Sequence, residues 1–307
     1  MGKKKIVLIG ASNSMLFNGL RAGLNQDNVE LTNLSLGGAS TLHILYEFLR
    51  FRNESIVIAA DLIILESNIV DIDHIIDLPD FKNLILRNIF LTYNELSKLN
   101  KKFLVLLLPY IKNDFKKNET INNAHRMCCN QYGFNCVDVQ SVYLKNNVMD
   151  FYMTMIPDKA HQLQRIMYEF GKNIANENFS LFKFSLPSSI DLDFKICSPK
   201  NDLQINEKIL NLKKNMFYKE YCFRVHKDIT ISLSRKNQNY KIIASHSWTD
   251  NGKKNPFKFY SSLIFFNNAD NFIETCATPS YNAFAAIYDD FVIGDNSKIY
   301  LGNNRNI

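Results

Sequence analysis

The chain is poor in the residues that interrupt structure. Its 307 residues include seven prolines and eleven glycines, too few for long disordered linkers. There is one tryptophan, Trp248, and no uninterrupted apolar run near 18 residues, so no segment reads as a membrane-spanning helix. The six cysteines, Cys128, Cys129, Cys136, Cys197, Cys222 and Cys276, lack paired Cys-x-x-Cys spacing and a dense framework. They read as reduced thiols of a cytoplasmic protein, with Cys128 and Cys129 on partly buried helix surface and no metal bound. Internal repeats and low-complexity tracts are missing as well. The net charge is +6, and the lysines fall in scattered pairs such as Lys101-Lys102 and Lys213-Lys214 rather than in a stripe interleaved with aromatics. That is the pattern of a solvated surface and excludes a nucleic-acid partner; the mild positive field suits an anionic substrate. At the start, MGKKKIVLIGAS places three lysines before an apolar run. That run is too short for a secretory core, and Ile6 stands where a myristoylation signal needs Ser or Thr.

What is present is an ordinary supply of core residues, 46% hydrophobic and 12% aromatic, arranged in two rhythms. Over residues 1–185, apolar runs at 5–10, 29–36, 61–65, 103–108 and 135–139 predict strands. Helical periodicity at 15–24, 41–52, 81–99, 119–132 and 160–176 alternates with them. Continuous apolar strands separated by helices predict an α/β domain with a parallel sheet covered on both faces. Over residues 186–307 short β-branched and aromatic runs at 217–225, 229–233, 240–246, 258–266, 283–287 and 291–293 are separated by turn residues. They predict a small antiparallel β-rich domain, sandwich-like in its spacing. Trp248, near His246, reads as a core anchor there.

In open parallel sheets ligands bind beyond the carboxyl ends of the strands. Those ends carry Ser12 and Ser14 after the first strand, Gly37-Gly38 after the second and Ser67-Asn68 after the third; Asp158 and His161 stand just before the last helix. Each has a bland reading: Ser12 as a helix cap, Gly38 as a turn, Asn68 as a cap, His161 as a surface histidine. Together they supply every role that acyl transfer needs. Ser12 is the candidate nucleophile and His161 the base that takes its proton. Asp158, one helical turn earlier, would orient the imidazole. The Ser12 and Gly38 N–H groups and the Asn68 amide are the candidate oxyanion donors, each worth roughly 2.7–4 kcal/mol in the transition state. Ser14 is expected to cap the following helix, so that Ser14→Ala would cost little. The remaining histidines, His43, His74, His125, His226 and His246, lack a comparable partner in the sequence and read as structural.

In that order the residues resemble the SGNH (GDSL-like) hydrolase superfamily, over residues 5 to about 177. The first block, usually Gly-Asp-Ser, is Gly10-Ala11-Ser12; the second is Asn33-Leu34-Ser35-Leu36-Gly37-Gly38. The third, usually Gly-x-Asn-Asp, keeps only Asn68 within Glu66-Ser67-Asn68-Ile69, and the last, Asp158-Lys159-Ala160-His161, matches in full. The resemblance implies a three-layer α/β/α, flavodoxin-like domain that forms an acyl-Ser12 intermediate. It further implies an O-acetyltransferase that modifies a bacterial surface-glycan sugar, sialic acid among the candidates. Acetyl-CoA would be the acyl donor, with no tightly bound cofactor. A carbohydrate O-acetylesterase and an inactive glycan-binding module are the alternatives. Peripheral membrane association and oligomerisation stay open.

Overall fold

The computed structural model describes residues 2–110, 115–156, 158, 160–198, 210–214, 218–223, 230–248, 261–268, 271–277 and 282–302. The chain forms two compact units, Met1–Phe194 and Lys195–Ile307. The division falls later than 185/186 because the chain stays tied to the first unit after its last helix. Lys102 and Phe184 form a β-bridge, Ser185 N donates to Lys101 O at 2.8 Å, and Ser188 Oγ donates to Asn94 Oδ1.

The first unit is built on five parallel strands: β1 (Lys4–Gly10), β2 (Val29–Asn33), β3 (Leu62–Glu66), β4 (Phe103–Leu107) and β5 (Asn135–Asp138). Their order is β2-β1-β3-β4-β5, that of a flavodoxin-like, doubly wound sheet. Every residue of β3 and β4 is buried, as expected of parallel strands covered on both faces. The helices are α1 (Leu20–Leu24), α2 (Thr41–Leu49), α3 (Glu54–Ala59), α4 (Asn68–Asp77), α5 (Lys82–Ser97), α6 (Phe115–Tyr132), α7 (Val139–Lys145), α8 (Met149–Met155) and α9 (Gln164–Asn176). Helix α1 packs on α9, while α2, α4, α5 and α6 pack among themselves. The α1–α9 approach is backbone on backbone: a Cβ on Gly23 would lie 2.0 Å from Tyr168 O, and one on Gly171 2.4 Å from Leu20 O. That contact fixes α9, and with it the segment just before it, against the helix that follows Ser12.

Several elements depart from the sequence expectation. The helix expected over 15–24 is only α1; before it Ser12–Ser14 make one 3-10 turn, with Ser12 O accepting from Met15 N and Leu16 N. The helix expected from 160 begins at Gln164. The one expected over 41–52 stops at Leu49, where Arg50 turns extended, and a 3-10 turn, Phe51–Asn53, leads into α3. Cys128 and Cys129 are buried rather than half-exposed, since α6 lies against β4 and β5 and Cys129 meets Cys136 of β5.

The second unit has a four-stranded antiparallel sheet, β11-β10-β13-β8, and two two-stranded ladders, β12-β9 and β6-β7. The strands are β6 (Leu210–Lys214), β7 (Lys219–Phe223), β8 (Ile231–Ser232), β9 (Ala244–Ser247), β10 (Ser261–Asn268), β11 (Asn271–Ala277), β12 (Ala283–Ala286) and β13 (Lys298–Gly302). The strand expected at 291–293 is reduced to a single bridge, Lys241↔Val292; Phe291 and Ile293 join Leu233 and Ile287 in a buried cluster instead. Residues 258–260 and His226 lie outside the described residues. Trp248, at the end of β9, is half-buried.

Candidate active site

The strand order reverses between β1 and β3, and at such a switch point the two carboxyl ends leave a crevice. Ser12 leaves the end of β1 there. Its Oγ lies 2.9 Å from His161 Nε2, and His161 Nδ1 lies 2.8 Å from Asp158 Oδ2. The three residues join in one hydrogen-bonded chain across 149 positions of sequence. The Asp–His pair is not made on a helix, contrary to the one-turn expectation. Asp158 Oδ1 accepts from the Ala160 and His161 N–H groups, both at 2.8 Å. This side-chain-closed turn leaves the other oxygen, Oδ2, for the imidazole. Burial pushes the Asp158 carboxyl up, but the His161 ring and the two N–H groups outweigh it and hold it below its ordinary range. The carboxylate therefore stays charged and orients the ring with Nδ1 as the donor.

Of the expected oxyanion donors, two are available. Leu36 N donates to Gly10 O at 3.0 Å and Gly10 N to Ser35 Oγ at 2.9 Å, which ties the loop after β2 to the end of β1. In that loop Gly38 has φ +68°, a conformation that disfavours any side chain, and its backbone is exposed. The N–H groups of Gly38 and Ser12 donate to nothing among the described residues. Asn68 differs. It is fully buried; its Nδ2 donates to Leu108 O at 2.8 Å and Asn122 Oδ1 at 3.0 Å, and its Oδ1 accepts from Leu108 N. Both amide hydrogens are engaged in joining α4 to the end of β4 and to α6. Asn68 thus has no donor left for an oxyanion, which corrects the sequence expectation.

Two further residues hold the turn, and neither was singled out from sequence. Asn13, 1% exposed, donates from Nδ2 to Ala160 O at 3.0 Å and accepts at Oδ1 from Gln162 N at 2.9 Å. It grips the backbone on both sides of His161 from the position next to Ser12. Gln162 is fixed in turn by Tyr152 Oη and by its Nε2 donating to Pro109 O. The second is Glu66, the last residue of β3. Ser14 Oγ donates to Glu66 Oε2 at 2.9 Å, so Ser14 is not the helix cap it was expected to be. Burial raises the Glu66 carboxyl to about 7, against the lowering effect of the Ser14 and Ala11 hydrogen bonds. Its sequence signal was visible: a carboxylate closing the apolar run Leu62–Glu66 has no solvent to reach.

Other histidines do have partners of their own. His43 Nε2 lies 3.4 Å from Glu47 Oε1, and His125 lies 3.5 Å from Asp71 Oδ2 with its Nδ1 on Tyr93 Oη at 2.8 Å. His246 is bonded to Asn282. These rings are buried or half-buried in polar networks. Among the described residues there is no group of three or more His, Cys, Asp and Glu placed to hold a metal ion, and no helix is long and apolar enough to cross a membrane.

No protein-family model matches the chain, and no curated protein matches it. Solved structures similar to it include the acetyl xylan esterase AlAXEase (15% identity, TM-score 0.45, covering 55% of this chain and 96% of that one). Another is LAE5, an alpha/beta hydrolase enzyme from the metagenome of Lake Arreo, Spain (17% identity, TM-score 0.46, 58% and 99%). A third is Axe2, an acetylxylan esterase from Geobacillus stearothermophilus (17% identity, TM-score 0.46, 58% and 97%).

Proposed function

We propose that this chain is a serine esterase of the SGNH kind that removes acetyl groups from carbohydrate hydroxyls. The observation that carries the reading is the unbroken chain from Ser12 Oγ through His161 to Asp158 Oδ2. His161 Nε2 accepts the Ser12 proton as Oγ attacks the acyl carbonyl. The oxyanion forms beside the Ser12 and Gly38 N–H groups. The imidazolium, held by Asp158, then protonates the departing sugar oxygen. A water molecule, deprotonated by the same nitrogen, releases acetate and restores Ser12.

Hydrolysis replaces transfer from acetyl-CoA as the favoured direction. A transferase must keep water from the acyl-serine until the acceptor arrives. Here the His161 side chain is 34% exposed and that of Asp158 51%, so water reaches the base that would activate it. The substrate class keeps to acetylated sugars, with surface glycans containing sialic acid among the candidates.

Acetate release from acetylated xylooligosaccharides and from O-acetylated sialic acid, together with p-nitrophenyl acetate hydrolysis, tests the reading. Wild type is expected to turn over at least one acetylated sugar. Ser12→Ala should lose about 10⁴-fold or more in kcat with an unchanged melting temperature. Release of CoA from acetyl-CoA that depends on a sugar acceptor, without hydrolysis of any acetyl ester, would overturn it in favour of transfer.

A further inference from the structure

Residue 11 is alanine, so the nucleophile turn carries no side-chain acceptor between Gly10 and Ser12. A carboxyl from the neighbouring strand occupies that space. Glu66 is 0% exposed and pairs in register with Gly10. Its Oε2 accepts from Ala11 N at 3.2 Å and from Ser14 Oγ at 2.9 Å, while its backbone oxygen accepts from Ala11 N at 2.8 Å. The packing leaves no slack: a Cβ on Gly10 would stand 2.3 Å from Ser14 Oγ and 2.9 Å from Glu66 Oε2. The other oxygen, Oε1, has no hydrogen-bond partner among the described residues. Burying a carboxyl with one oxygen unmatched is unfavourable for folding. An apolar residue in its place would fill the same space without that penalty, so its presence calls for a role beyond packing.

We infer that Glu66 is a positioning residue for the nucleophile, holding Ser12 in line with His161 by accepting hydrogen bonds from Ala11, just before it, and Ser14, two residues after it. The inference rests on the reading of Ser12 as nucleophile. Contacts from three directions then define the turn. Glu66 holds it from behind, Asn33 Nδ2 donates to Ser14 O at 2.9 Å, and Asn13 reaches forward to the backbone around His161. The 2.9 Å from Ser12 Oγ to His161 Nε2 depends on the turn's angle, and a reacting oxygen displaced by about 1 Å loses about 100-fold in rate. Glu66 touches neither substrate nor the reacting atoms. Its loss should therefore reduce kcat and leave KM in place.

The test compares wild type, Glu66→Leu, Glu66→Gln and Ser14→Ala in the full chain. Two readouts are used: the rate at which a fluorophosphonate probe labels Ser12, located by mass spectrometry, and kcat and KM for p-nitrophenyl acetate. Circular dichroism and melting temperature report folding. Glu66→Leu is expected to stay folded and to lose at least tenfold in both labelling rate and kcat, with KM within twofold. Glu66→Gln, which keeps an oxygen acceptor, should recover most of that loss. Ser14→Ala, which removes one of the two donors, should lose about three- to tenfold; it carries the test alone should Glu66→Leu fail to fold. A folded Glu66→Leu, or failing that Ser14→Ala, with wild-type labelling overturns the role. Equal losses in Glu66→Leu and Glu66→Gln overturn it too, because the acceptor would then be irrelevant. Probe labelling in a wild type that hydrolyses no ester removes the esterase reading and leaves Glu66 to be judged on labelling. A wild type whose Ser12 takes no probe removes both.

Discussion

Asn13 and Asn68 show how one residue type takes opposite parts in this site. The Asn68 amide is closed off by Leu108 and Asn122, whereas Asn13 uses its amide to hold the backbone flanking His161. Asn13→Ala should therefore lower kcat for ester hydrolysis about 10- to 100-fold with little change in KM, since the lost hydrogen bonds orient the base rather than bind substrate. Steady-state kinetics with p-nitrophenyl acetate would show it, and a KM rise with kcat intact would contradict it. That Ser12, His161 and Asp158 come together could be read from sequence because the chemistry expected of them restricts the residue types and the strand ends restrict the place. The part of Asn13 could not, because its partners are backbone atoms 147 and 149 positions away, and a backbone oxygen leaves no mark on a sequence. Asn68 was misread for the complementary reason: position suggests a donor, and only packing reveals that the donor is taken.

At the scale of elements, the apolar runs located all five parallel strands, because strands buried on both faces have little freedom in composition. Helix α4 escaped notice since Ser67 alone separates it from β3, with no Gly or Pro to mark the change. Two elements end in buried carboxyls that respond to pH in opposite senses. Glu47, near the end of α2, is raised by burial but lowered more by His43 and Arg50, to about 2. It stabilises the fold above pH 4.5, and that contribution fades as pH falls towards 2. Glu66, closing β3, is raised from 4.5 to about 7. The folded chain holds its proton more tightly than the unfolded chain does, so its contribution weakens as pH rises from 4.5 through 7. Glu66→Gln has no proton to lose. Its stability relative to wild type should rise between pH 5 and pH 8 by up to about 3 kcal/mol. Urea unfolding of both proteins at the two pH values would measure this, and a constant difference would contradict it.

For the molecule as a whole, every residue assigned to the site belongs to Met1–Phe194. A chain ending at Phe194 should keep Ser12 labelling by a fluorophosphonate at a rate within about threefold of the full chain, since the hydrogen bonds of Ser185 and Ser188 close the first unit on itself; loss of labelling in a folded truncation would contradict this. The two-rhythm reading of the sequence could not locate that division well. Residues 186–194 carry no strong pattern, and what assigns them is hydrogen bonding to α5, as in Asn94 Nδ2 donating to Ile190 O.

The grip of Asn13 on the backbone around His161 has one more consequence. Nucleophile and base cannot wander separately: the segment carrying His161 is fastened to the residue beside Ser12, so they part only when both hydrogen bonds break together. Loosening of this site should therefore act on both at once. In Asn13→Ala both ties are missing from every molecule, so each active site would slow alike, and a titration of competent sites would return the full count while the rate falls.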